Sequence, residues 1–115
     1  MEAGSSFEHY VLMELIAYRG LKELDFPISF WRTKTGLEVD FVLGDEIAIE
    51  VKISDVVQKS DLKGLIAYLE EYPKQRGVVV SQDKNPRKII LDKKIEITVL
   101  PWQIFLEQLW SGKLI

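Results

Sequence analysis

The sequence predicts an α/β domain of the α+β kind, a central mixed sheet with helices packed against it. Three observations predict it. Residues 7–19 carry apolar side chains at helical spacing. Residues 37–53 alternate apolar and polar on either side of Gly44-Asp45-Glu46, as a hairpin does. Gly77-Val78-Val79-Val80-Ser81 is a short, continuous apolar run, the pattern of a strand covered on both faces.

The elements follow in order. Ser5 or Ser6 can cap the first helix, and Gly20 is expected to stop it. Its stripe is Phe7, Val11, Leu15 and Tyr18, widened by Leu12 and Ile16. Pro27 precedes a strand at 28–32, and Thr35-Gly36 is a turn signal. Strands at 37–43 and 47–53 flank the three-residue loop. A polar stretch leads into a second helix at 60–71, with Leu62, Leu65, Ile66 and Leu69 as its buried face and Pro73 beyond its end. After the strand at 77–81, residues 82–88 read as loop and 88–91 as a minor strand. The last strand is expected at 95–100. Pro101 suits the first turn of a terminal helix carrying Ile104, Phe105, Leu106, Leu109 and Trp110.

At 115 residues with 47% hydrophobic content, the chain supports one domain, 1–115, with one core. It has no cysteine and a single histidine, His9, which excludes disulfides, thiolate metal sites and a zinc site of several imidazoles. Any metal must be held by oxygen, which favours Mg²⁺, Mn²⁺ or Ca²⁺. No apolar run reaches the roughly 18–20 residues of a membrane span, and Met1 to Ser6 shows no signal peptide, so a cytoplasmic protein with no membrane partner is expected. A net charge of −3 argues against coating nucleic acid by bulk electrostatics, but leaves room for a local basic rim.

Chemistry concentrates in the hairpin. Val39, Phe41 and Leu43 share one face with Ile47, Ile49, Val51 and Ile53 if opposed residue numbers sum to an even number. The three-residue loop meets that condition. Asp40 then lies opposite Glu50, with Lys52 two residues along the same face. Opposed carboxylates destabilise a sheet unless water screens them, a cation sits between them, or one takes up a proton. A divalent cation would turn repulsion into ligation, with the Val51 carbonyl as a further hard ligand and Lys52 beside the attacking water. Glu8 lies within the apolar stripe of the first helix, where a carboxylate should not be buried unpaired, and can add a contact directly or through water.

These residues resemble the PD-(D/E)XK nuclease superfamily: Asp40, a gap of nine residues, Glu50-Val51-Lys52, and a preceding helix bearing Glu8. The predicted element order is similar to that superfamily's restriction-endonuclease-like αβββαβ core. A nearer likeness is to a domain that follows AAA-type ATPase modules in prokaryotic proteins. It is carried by Gly4, Phe7-Glu8, Glu14-Leu15, Trp31-Arg32-Thr33, the run Gly36-Leu37-Glu38-Val39-Asp40-Phe41, Glu50-Val51-Lys52, residues 61–65 and Leu100-Pro101-Trp102. The resemblance implies Asp40 and Glu50 as metal ligands, Lys52 as catalytic lysine and Glu8 as an accessory acid. The chain has no P-loop, so it is expected to be the C-terminal part or a relic of a larger ATPase protein.

Two functions are weighed. One is a Mg²⁺- or Mn²⁺-dependent nuclease acting on DNA. The other is a catalytically silent nuclease-fold module that docks on or regulates an AAA-type ATPase. A homodimer through the Trp-rich terminal helix is compatible with both. Glu38, Arg32 and Gln58 are accessory or substrate-binding candidates, each weighed against plain surface polarity. His9 is expected at the surface, and the three tryptophans in the core or an interface. Lys84, Arg87, Lys88, Lys93 and Lys94 form a basic stretch, either a solvated loop or a rim for nucleic acid.

Overall fold

A computed structural model describes residues 3–92 and 95–115. Helix α1 (Ala3–Leu21) is followed by β1 (Ile28–Arg32), β2 (Glu38–Leu43) and β3 (Ile47–Val51). A 3-10 turn (Lys59–Asp61) leads into α2 (Lys63–Glu71), then β4 (Arg76–Ser81), β5 (Arg87–Leu91), β6 (Ile95–Pro101) and α3 (Trp102–Trp110). The fold is α+β, with the expected αβββαβ order at its heart. The six-stranded sheet has the order β1-β2-β3-β4-β6-β5. Its central pairs β3/β4 and β4/β6 are parallel and its outer pairs antiparallel, so the sheet is mixed.

Both faces of the sheet are covered. On one, Val11, Leu15 and Tyr18 of α1 and Phe105 and Leu109 of α3 pack on Phe41, Leu43, Ile47 and Ile49. On the other, Leu62 with Leu65, Tyr68 and Leu69 of α2 packs on Val42, Ala48, Val79 and Ile97. Each fully buried Leu, Ile or Val in these layers contributes about 1.5–3 kcal/mol. The apolar run in β4 is explained by its place between the two layers, with Val78 and Val80 on one side and Val79 on the other.

Several expectations are corrected. α1 runs on past Gly20, because the left-handed residue is Glu23 (φ 55°). The Glu23 N–H bonds the Gly20 carbonyl and the Leu24 N–H the Arg19 carbonyl, which closes the helix as a Schellman motif. Ile16 does not widen the buried stripe but is exposed, and so is Ile53, beyond the end of β3. The second helix is split, with the 3-10 turn preceding α2. Pro101 closes β6 and precedes α3 rather than sitting in its first turn. Lys93, Lys94 and Met1 lie outside the described residues.

The most consequential correction concerns β2. Pairs Ser29↔Val42 and Trp31↔Val39 take two steps along β1 and three along β2, a bulge at Asp40 and Phe41 opposite Phe30. The bulge reverses the alternation. Val39 therefore faces α2 together with Val42, and not the α1 side with Phe41 and Leu43. The second face of the hairpin is a buried layer too, open only where β2 and β3 part beyond Phe41↔Ile49.

Candidate active site

The β2–β3 register, Phe41↔Ile49 to Leu43↔Ile47, is the one that parity required, and it sets Asp40 against Glu50 just past the last paired residues. There the carboxylates take over from the ladder. The Asp40 N–H donates to Glu50 Oε1 at 3.2 Å, and the Val51 N–H donates to Asp40 Oδ2 at 2.8 Å. Each acid thus satisfies a backbone donor that the parting strands would otherwise leave open. Lys52 Nζ stands 3.6 Å from Glu50 Oε2.

Burial dominates the electrostatics. Glu50 is only 5% exposed. Desolvation, with the neighbouring Asp40 charge, pushes its carboxyl up to about 8, against the pull of Lys52. Asp40 is also raised, by burial foremost, while the Val51 N–H bond and Lys52 draw it down. Glu8 of α1 is raised by burial and then by the charges of Asp40 and Glu38, against the pull of Lys52. Lys52 is the cation whose pull opposes the rise of all three acids.

These groups line a cleft of about 560 Å³ between the N-terminal turns of α1, the parted strands and the start of α2. Glu8, Glu38, Asp40, Glu50, Val51 and Lys52 all face it. Arg32 is exposed on β1, pairs with Glu38 at 3.3 Å, and lines an adjoining hollow with Phe30, Glu8 and Asp40. Gln58 is not among the lining residues; its N–H bonds the Asp61 carboxylate at 2.8 Å at the head of the 3-10 turn.

The basic stretch stands elsewhere. β5 lies at the far edge of the sheet, separated from β3 by β4 and β6. Arg87 is tied to Asp83 at 2.9 Å and to the Val57 carbonyl, and Lys88 pairs with Glu96 at 2.7 Å. Both are engaged within the fold. His9 is exposed. Trp31 packs edge-on to Tyr68, and Trp102 and Trp110 pack edge-on to Tyr10 and Tyr18 of α1.

Sequence reasoning missed the contribution of α2. Ser60, Asp61, Lys63 and Gly64 form one wall of the cleft. Gly64 lets that wall close, because a Cβ there would run into the Glu38 carbonyl oxygen and lie 2.9 Å from the Glu38 nitrogen. A glycine inside an otherwise helical run was the available signal of close backbone approach. Another hollow, about 360 Å³ between α2, β4 and β6, is lined by Leu69, Arg76, Glu96 and Leu100 and gathers no comparable acids.

A family model described as a domain of unknown function, DUF4143, matches residues 3–105. The chain belongs to this family. The match takes in every element from α1 to the start of α3, so the whole cleft lies inside the DUF4143 domain. No curated protein and no solved structure matches the chain.

The donor set fits a hard divalent cation. It is made of oxygen alone: two opposed carboxylates, the adjacent Val51 carbonyl, and Glu8 lining the same cleft. Among the described residues no group of three or more His, Cys, Asp or Glu side chains closes around one point. A metal here would rest on Asp40 and Glu50 and keep waters in its remaining positions, as Mg²⁺ commonly does. Among the described residues no helix is long and apolar enough to cross a membrane.

Proposed function

We propose that this DUF4143 domain is a Mg²⁺- or Mn²⁺-dependent nuclease of the PD-(D/E)XK kind, hydrolysing phosphodiester bonds in DNA. The observation that carries the reading is the reciprocal arrangement of Asp40 and Glu50 at the mouth of the parting strands, with Lys52 beside Glu50. Burying two like charges together is costly. The raised carboxyls are what burial, with a second acid close by, should produce.

Asp40, Glu50 and the Val51 carbonyl would hold the metal, with Glu8 supporting Asp40 directly or through water. The bound ion supplies polarisation of the phosphate and a more acidic water. Lys52 Nζ, half-exposed at the cleft, orients the attacking water by hydrogen bonding and donates to a phosphoryl oxygen as negative charge builds there. The buried walls beneath Asp40 and Glu50 strengthen each of these interactions by excluding water.

The test is cleavage of single- and double-stranded DNA and RNA with Mn²⁺ and with Mg²⁺, paired with calorimetry of Mn²⁺ binding. Cleavage that Asp40→Asn abolishes supports the reading; no cleavage with either ion and no heat of binding overturns it.

A second reading draws on α1, whose outer surface leaves Met13 48% and Leu21 75% exposed. Such a surface suits a silent docking or regulatory module of an AAA-type ATPase. A stable complex with an ATPase chain, without Mn²⁺ binding, favours it. A homodimer through α3 would have to use the sides of Trp102 and Trp110 that α1 leaves open, and sedimentation reads it.

A further inference from the structure

Phe30 is a large aromatic side chain on the edge strand β1, and it is 68% exposed. Its neighbours Ser29 and Trp31 point to the opposite face, where Trp31 packs against Tyr68. Phe30 stands across from the bulge at Asp40 and Phe41, at the point where β2 is re-aimed. The Arg32 guanidinium lies 5.6 Å from its ring centroid, in cation–π range. The ring and the guanidinium share a hollow of about 410 Å³ with Glu8, Glu38 and Asp40.

That hollow adjoins the metal-site cleft, because Glu8, Glu38 and Asp40 line both. A chain molecule that runs on from a phosphate at Asp40 and Glu50 along this side would meet Phe30. The ring offers a π-face, and Arg32 offers a cation beside it for the neighbouring phosphate. A paired base inside a duplex cannot stack on a protein ring, whereas an unpaired one can.

The geometry points to an unpaired nucleic-acid strand as the substrate, with Phe30 stacking the base next to the scissile phosphate and Arg32 holding the adjoining phosphate. This rests on the nuclease reading for the position of the phosphate, but not for the stacking, which is a binding property. Arg32 gives up its exposed pairing with Glu38 to reach the strand, a small loss for a surface ion pair.

The experiment is photo-crosslinking of the full chain, in Mg²⁺, to a single-stranded DNA oligonucleotide carrying 5-iododeoxyuridine, with the adduct mapped by mass spectrometry. The adduct is expected on Phe30, and unlabelled single strand should compete better than the matched duplex. By fluorescence anisotropy, Phe30→Ala should weaken single-strand binding on the order of 10-fold, while Phe30→Trp restores it. Arg32→Ala should lower the salt slope of binding by about one. An adduct mapping elsewhere, absence of binding, or equal losses for single strand and duplex overturns the inference. The two readings fail separately. Metal-dependent cleavage that Phe30→Ala leaves unchanged would sink the stacking and keep the nuclease. A Phe30 adduct without Mn²⁺ binding would do the reverse.

Discussion

Asp40 and Glu50 each cap the other's strand: Asp40 donates its N–H to the Glu50 carboxyl, and the Asp40 carboxylate accepts the N–H of Val51 next to Glu50. The two acids are therefore part of the sheet as well as the cleft. Removing either one costs stability and proposed chemistry together, and the two losses must be separated by the choice of variant.

Asp40→Ala leaves the Val51 N–H without its partner. An unsatisfied buried donor costs about 1–3 kcal/mol, so the melting temperature should fall. Asp40→Asn keeps an oxygen in place to accept that bond and removes only the charge. It should melt close to the parent protein while losing metal-dependent cleavage as completely as the alanine variant. Thermal unfolding in parallel with a Mn²⁺ cleavage assay checks both. If the asparagine variant cleaves normally, Asp40 is a structural strand cap and no ligand.

The pH dependence of the metal-free protein has a definite sign. Glu50 titrates from an ordinary value of 4.5 when unfolded and from about 8 when folded. Between these values the folded chain binds more protons than the unfolded one, so stability falls as pH rises across that window. Asp40 and Glu8, also raised, act in the same direction. In the presence of a chelator the melting temperature should be higher near about pH 5 than near about pH 8, and Glu50→Gln should flatten that slope. A parent protein equally stable at both ends of the window would show that the buried charge is already compensated.

Gly64 and Gly20 should respond oppositely to alanine. At Gly64 the new methyl meets Glu38 backbone, which cannot move without displacing the strand that carries Asp40. The cost should reach about 3 kcal/mol, the upper end for overpacking. At Gly20, within α1, a Cβ meets nothing within 4 Å and the backbone is not left-handed. Gly20→Ala should stabilise by about 0.5–1 kcal/mol through helix propensity and a less flexible unfolded chain. Thermal melts of the two variants side by side read the difference.

The β2–β3 register was legible because a three-residue loop and two apolar faces leave few alternatives, and Asp40 against Glu50 followed from it. The bulge that carries Val39 to the other layer was not legible. It depends on pairing with β1, a neighbour whose register no local pattern states. The same holds for Ile53, which an alternating pattern assigns to the core but which lies past the point where β3 ends. The α2 wall was hidden for a related reason, since contact between Gly64 and Glu38 joins segments 26 residues apart. The acids of the site were visible through their type and spacing, whereas the aromatic at its rim, Phe30, looked like any strand residue.

Lys52 separates binding from turnover. Its ammonium is half-exposed and loosely placed at 3.6 Å from Glu50, and no hydrogen bond of the sheet depends on its side chain. Lys52→Met should therefore leave the fold intact. It also removes a cation that competes with a metal for Glu50, so Mn²⁺ affinity measured by calorimetry should hold or rise. Turnover is a different matter. If Lys52 donates to the phosphoryl oxygen only as charge builds there, kcat should fall by about 10²–10³-fold, the loss typical of one transition-state donor, with little change in KM. Lys52→Arg should recover part of it, since the charge is kept but its geometry is not. A fall in Mn²⁺ affinity with kcat unchanged would assign the lysine to holding the site together instead.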